Sequence, residues 1–241
     1  MNDKMPDQNT RIIACAVIAD ELKAYLPPGM EIETLDFGLH RTPQKLKPTL
    51  QEAIDKANGY DNIVLAYGLC GMSVIGLHAG SARLIIPRVD DCIAMFLGSR
   101  SAYLKRQMEY PGTLFLSKGW IEGKIDDANS DEFIYRDLLT RYNEEKAKRL
   151  LSAYVARRPL KHYKRLAFIN TSHESNLGQY KEIARSRAEK LGLVYEEING
   201  SSILMEKIAS EHWDDDFIVA APGHNISFND FWADAEKTPP P

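Results

Sequence analysis

The sequence predicts an α/β protein of two Rossmann-like lobes, each built on a mainly parallel sheet, joined by a long helix. Three observations carry this. Aliphatic runs of strand length, Arg11 to Ile18 (RIIACAVI), Asn62 to Ala66 (NIVLA) and Arg83 to Ile86 (RLII), end in Gly, Pro or polar residues, the pattern of strands buried on both faces. Stretches of helical periodicity separate them, as at Leu46, Leu50 and Ile54. The alternation restarts in shorter segments after residue 163, so the β-α-β logic is used twice.

In chain order, the polar lead Met1 to Thr10 carries no periodic pattern and is expected to be loose. The first strand runs from Arg11, with Cys15 near its end, and a brief helix over Asp20 to Tyr25 must stop at Pro27-Pro28-Gly29. Glu31 to Phe37 alternates polar and apolar residues as a half-buried strand, and Gly38-Leu39-His40-Arg41 is its outgoing turn. A helix follows from Thr42-Pro43 to Ala57, with Pro48 expected in its first turn and Asn58-Gly59 as its cap. Two further strands end in the turns YGLCG (67–71) and PRVDDC (87–92). Asp91 is the expected N-cap of a helix starting at Cys92, which restarts at Arg100 and runs to Glu109. Thr113 to Leu116 makes a fifth strand before Ser117-Lys118-Gly119-Trp120.

Asp131 to Arg158 reads as one long connector helix with an apolar face from Phe133 to Tyr154. Beyond it come strands at Arg165 to Asn170, Val194 to Ile198 and Phe217 to Ala221, with helices at Gln179 to Leu191 and Ile203 to Trp213. The expected organisation is therefore an N-terminal lobe over 11–128, a helical connector over 129–162 and a smaller C-terminal lobe over 163–232.

Composition narrows the function. A chain of 241 residues with 44% hydrophobic and 27% charged residues can bury a substantial core, and its net charge of -4 offers no basic footprint for nucleic acid. No apolar run is long enough to span a bilayer, and the polar start lacks the apolar core of a signal peptide, so a cytoplasmic protein is expected. Its three cysteines are an odd number, spaced 55 and 22 residues apart, which suits neither a disulfide framework nor a zinc ribbon. There is no GxGxxG and no GxxxxGK[ST], so dinucleotide or P-loop nucleotide binding is disfavoured.

The candidate chemistry centres on thiols. Cys15, Cys70 and Cys92 all fall at or near strand ends, and a parallel sheet would bring them to one rim, where α/β proteins bind ligands. A cysteine at a tight turn is also simply a small buried hydrophobe. Gly68 and Gly71 beside Cys70 allow a sharp turn and close approach of a ligand. The helix dipole would favour a Cys92 thiolate, whereas Asp90 and Asp91 would oppose it unless a cation is present. A bound metal reconciles these groups: three thiolates, with His40 as a fourth ligand, suit zinc or an iron-sulfur cluster with one open position.

The competing reading makes Cys70 a nucleophile, with His40 or His173 as its base. Trp120 is a candidate stacking wall for a planar ligand, and the Pro222 to Asn225 turn, with Gly223 and His224, is expected to face the same cleft from the second lobe. His78, His162 and His212 are assigned no role.

The words YGLCG at 67–71, PRVDDC at 87–92 with GS at 98–99, and PGT with GW between 111 and 120 resemble a domain-of-unknown-function family. It is found in methanogenic archaea and anaerobic bacteria, often encoded beside corrinoid-dependent methyltransferases. The resemblance runs from about Arg11 to Ile226 and takes in Cys15 before Asp20-Glu21, the Leu39-His40 turn with Pro43, and Pro222-Gly223-His224. It implies anaerobic one-carbon or corrinoid-linked metabolism, with a small-molecule ligand and a corrinoid protein or methyltransferase as partner. A non-enzymatic accessory module for such a system is the third alternative.

Overall fold

The computed structural model describes residues 9–41, 43–123, 131–156, 162–171 and 176–232, without the side chains of 40–43, 131–133 and 154–156. Those residues form two compact units. The first takes the chain up to Leu104 and from Gly200 onward; the second takes Lys105 to Asn170 and the segment ending at Asn199. The contiguous lobes 11–128 and 163–232 expected from the sequence are thus interleaved.

The first unit holds β1 (Thr10–Cys15), α1 (Ala16–Leu22), β2 (Glu31–Leu35), a 3₁₀ helix (Phe37–Arg41), α2 (Pro43–Lys56), β3 (Asn62–Ala66), β4 (Arg83–Pro87) and α3 (Cys92–Phe96). α4 (Arg100–Glu109) begins in it and ends in the second unit. The second unit holds β5 (Thr113–Leu116), α5 (Lys118–Glu122), α6 (Asp131–Leu139), α7 (Glu144–Ala156), β6 (Arg165–Asn170), α8 (Gly178–Leu191) and β7 (Val194–Asn199). α9 (Ile203–Ala209), β8 (Phe217–Ala220) and α10 (Phe228–Trp232) return to the first.

The first sheet has the order β2-β1-β3-β4-β8. Its first four strands are parallel, as helix-linked crossovers dictate. Burial explains the aliphatic runs: Ile12, Ile13, Val64, Leu65, Leu84, Ile85 and Ile86 are all essentially inaccessible. Alternate residues of these strands, Ile13, Leu65 and Ile86, share a core with Leu46, Leu50 and Ile54, the stripe that marked α2 in the sequence. Pro48 falls one turn deeper in α2 than expected, so the helix lacks a donor toward the carbonyl of Gln44.

β8 departs from the sequence-based order. Expected as the last parallel strand of a small lobe, it pairs antiparallel with β4, Phe217 opposite Pro87 and Ala220 opposite Leu84. Val219 is exposed, so β8 is an edge strand, the position at which parallel sheets accept an antiparallel member.

The second sheet, β5-β6-β7, is wholly parallel. β5, expected in the N-terminal lobe, belongs here, with Thr113 opposite Arg165, and the amide of Lys164 donates to the carbonyl of Gly112 at 2.8 Å. The expected connector helix is two helices. Asn143 ends the first stretch by capping α7, its side chain accepting from the amide of Lys146 at 3.0 Å, and Glu144 and Glu145 favour a helix start there. That cap, hidden inside an apolar periodicity, outranks the periodicity itself.

Candidate functional site

The carboxyl ends of β1, β3 and β4 form one rim, and Cys15, Cys70 and Cys92 line a single crevice there. Each thiol is placed by a different strand. Cys15 is the last residue of β1 and precedes α1; Cys70 sits four residues past β3; Cys92 opens α3 after the loop that follows β4. Ile18, Leu39, Leu46 and Met95 supply apolar walls, Tyr67 a buried phenol and Asp36 the one charged group among the described residues. The crevice is tight, with about 10 Å³ of free room, enough for roughly one water.

The turns that carry Cys70 and Cys92 are zipped together by backbone hydrogen bonds. The amide of Leu69 donates to the carbonyl of Val89 at 2.9 Å, and that of Cys70 to the carbonyl of Asp90 at 3.0 Å. Gly68 is required by this contact: a Cβ there would lie 2.6 Å from the Val89 carbonyl oxygen and 2.8 Å from the Asp91 nitrogen. The close approach that its lack of a side chain permits is by the neighbouring loop, and Gly68 also lines the crevice. Beyond it the chain turns through three successive positive φ angles, Cys70 (43°), Gly71 (67°) and Met72 (70°). Gly71 tolerates this freely, whereas Cys70 and Met72 each bear about 1–2 kcal/mol of strain. Ser73, nearly inaccessible, helps hold the turn by donating its hydroxyl to the carbonyl of Cys70 at 2.9 Å.

Both aspartates have structural partners. Asp91 caps α3, its Oδ1 accepting from the amides of Ile93 at 2.9 Å and Ala94 at 3.2 Å. Asp90 forms an ion pair with Arg100 at 3.1 Å, and the Arg100 guanidinium lies 3.9 Å over the ring of Trp232. Arg100 answers the Asp90 carboxylate and the α3 amides answer that of Asp91. The same cap occupies amides that were expected to stabilise a Cys92 thiolate.

The thiol environment favours protonation. Burial pushes the Cys70 thiol up to about 12, and Cys15 and Asp91 add to the rise. Burial also raises Cys15, against an opposing pull from the amides of Val17 and Ile18 and a smaller rise from Asp36. The Tyr67 hydroxyl is raised by burial and then by the two thiols. Cys92 is 6% exposed. Among the described residues, none lining the crevice is cationic, and no three His, Cys, Asp or Glu stand ready to hold a metal ion.

A family model described as "Protein of unknown function (DUF1638)" matches residues 34–209. The chain belongs to this family. No curated protein and no solved structure matches it. The DUF1638 match is narrower than the resemblance read from the sequence: it contains Cys70 and Cys92, whereas Cys15 and the 222–225 turn lie outside it.

The other sequence-derived candidates of this DUF1638 chain are His40, His173, Trp120, Gly223 and His224. The backbone of His40 lies in the 3₁₀ helix that follows β2, next to crevice-lining Leu39; its side chain is outside the described residues, as is all of His173. Trp120 packs on the core of the second sheet with Leu116 and Phe168. Gly223 and His224 follow β8, and because β8 is antiparallel they emerge at the amino end of β4, the edge opposite the thiols. There His224 Nε2 lies 3.0 Å from Asp230 Oδ2, and the His224 carbonyl accepts from Ala79 at 3.0 Å. The strand order, not the spacing of residues in the chain, separates this turn from the crevice.

Sequence reasoning missed Asp36, Tyr67 and Met95 as crevice residues. Asp36 directly follows β2 and Tyr67 directly follows β3, so the rule that strand ends build the site reaches both. Met95 faces the crevice from one turn into α3, a position with no signal beyond helical spacing.

Proposed function

We propose that the thiol crevice is the working site of this protein and that Cys15, Cys70 and Cys92 bind a soft metal ion or an iron-sulfur cluster. The observation that supports it is the meeting of three cysteines, far apart in sequence, on one crevice at the carboxyl rim of a parallel sheet. Thiols held protonated by burial, with no cation in the described lining, are poor nucleophiles as they stand. A metal changes that balance, because the ion itself supplies the positive charge and displaces the protons. Since no three of the described residues are already drawn together as ligands, binding is coupled to movement of the thiol-bearing segments toward the centre. His40, on the same rim by its backbone, is the fourth-ligand candidate.

The family resemblance supports placing this centre in anaerobic one-carbon or corrinoid-linked metabolism, with a corrinoid protein or methyltransferase as partner. A second reading rests on one observation: Cys70 sits at positive φ on a sharp turn, a geometry that presents nucleophiles. Anaerobic purification followed by elemental analysis and an absorption spectrum separates the two. The metal reading expects one centre per chain and thiols protected from alkylation; metal-free protein with one rapidly alkylated thiol would support the nucleophile instead.

A further inference from the structure

The first unit holds a second cavity, of about 300 Å³, at the carboxyl end of β4. Arg88, Ser99, Arg100, Ser101, Asp215 and Asp216 form its polar lining. The fold explains the assembly. β8 starts opposite Pro87, so Asp215 and Asp216 arrive beside Arg88, whose amide donates to the Asp216 carbonyl at 2.7 Å. A side chain at Gly98 (φ 83°) would collide with Ser201, and the amide of Ser201 donates to the Phe96 carbonyl at 2.8 Å, which fixes where α4 begins. Ser99 caps α4, its Oγ accepting from the amide of Ala102 at 3.1 Å and lying 3.0 Å from Ser101 Oγ.

We propose that this cavity binds a small molecule bearing a phosphate or carboxylate, held by Arg88, Arg100 and the first turn of α4. Both guanidinium groups are positioned in advance. Arg88 Nε donates to the Phe217 carbonyl at 3.1 Å and its Nη1 to the Asp230 carbonyl; Arg100 is held by Asp90 and the face of Trp232. Each planar fork carries five donors, more than these contacts use, and side chains already fixed lose little entropy on binding. The positive end of α4, a helix of ten residues, adds attraction for an oxyanion.

The cavity also presents carboxylates, Asp215 and Asp216, next to Arg88. Asp216 is offset by Lys207, which also pairs with Asp214 at 2.7 Å, and Asp215 adds a further carboxylate. The ligand therefore carries, beside its anionic group, a hydroxyl or amine that can donate to a carboxylate. No cysteine lines this cavity, so the inference stands apart from the metal reading.

Calorimetric titration of the metal-free full chain tests it, with inorganic phosphate, glycerol 3-phosphate, malate and glycerol as probes at low ionic strength. The oxyanions are expected to bind and glycerol alone is not; the tighter of glycerol 3-phosphate and malate tells phosphate from carboxylate. Ser101→Asp places a negative charge where a helix tolerates it, and should weaken phosphate binding about tenfold or more. Arg88→Gln should abolish binding, and Lys56→Ala, in an exposed pair with Glu52 on α2, should leave it unchanged. Absence of heat with every oxyanion up to about 10 mM, or a Ser101→Asp variant that binds phosphate as tightly as the parent, would overturn the proposal.

Discussion

The amide of Cys70 donates to the carbonyl of Asp90 at 3.0 Å, which makes the turn after β3 and the turn after β4 one structural piece. Whatever moves one thiol-bearing turn must move or break the other, and the stability of this junction is open to measurement.

Gly68→Ala should damage it directly. A methyl group at 2.6 Å from the Val89 carbonyl forces the turns apart, at a cost of about 1–3 kcal/mol by the usual penalty for overpacking. Chemical denaturation should show the lower midpoint, and the Cys70 thiol should alkylate faster than in the parent. An unchanged midpoint would mean that the loops separate without cost.

Thiol titration should couple to stability at high pH. The folded state holds the Cys70 proton to about 12, above the usual value of 9.0. Between those values the native state binds more protons than the unfolded chain, so stability falls as pH rises through the window. Below it the contribution is complete. Denaturation midpoints across this range should decline more steeply in the metal-free parent than in Cys70→Ala, and parallel slopes would contradict the assignment.

Asp91 has two roles that one substitution separates. Asn retains the side-chain oxygen that caps α3, so Asp91→Asn should stay within about 0.5 kcal/mol of the parent, whereas Asp91→Ala should lose about 1 kcal/mol. Asn also removes a charge that raises Cys70, so the pH midpoint for alkylation of Cys70 should fall. A midpoint that does not move would show that burial alone sets this thiol.

Much of the site was legible in the sequence because aliphatic runs mark strands and parallel strands end on one rim. That reasoning places Cys15, Cys70 and Cys92 on one rim and marks Asp91 as a cap. It failed where direction and partnership come from elsewhere in the chain. Nothing in the four residues Phe217–Ala220 says that they run against β4, so a parallel reading puts His224 at the thiol edge and the antiparallel pairing puts it at the other. The pairing of Asp90 with Arg100 depends on how α3 gives way to α4, and the sequence pattern carries no sign of it. β5 joined the second sheet through a pairing with Arg165 to Phe168, a long-range choice that local pattern does not encode.

Cys15 is the decisive residue, since it reaches the crevice from the first strand and lies outside the matched family segment. The most direct measurement is metal or iron and sulfide content after anaerobic reconstitution of the parent chain and of Cys15→Ala, Cys70→Ala and Cys92→Ala. Three ligands acting as a set predict one centre in the parent and its loss in every variant. A parent chain that takes up no metal, or a Cys15→Ala variant that retains a full complement, would contradict the account.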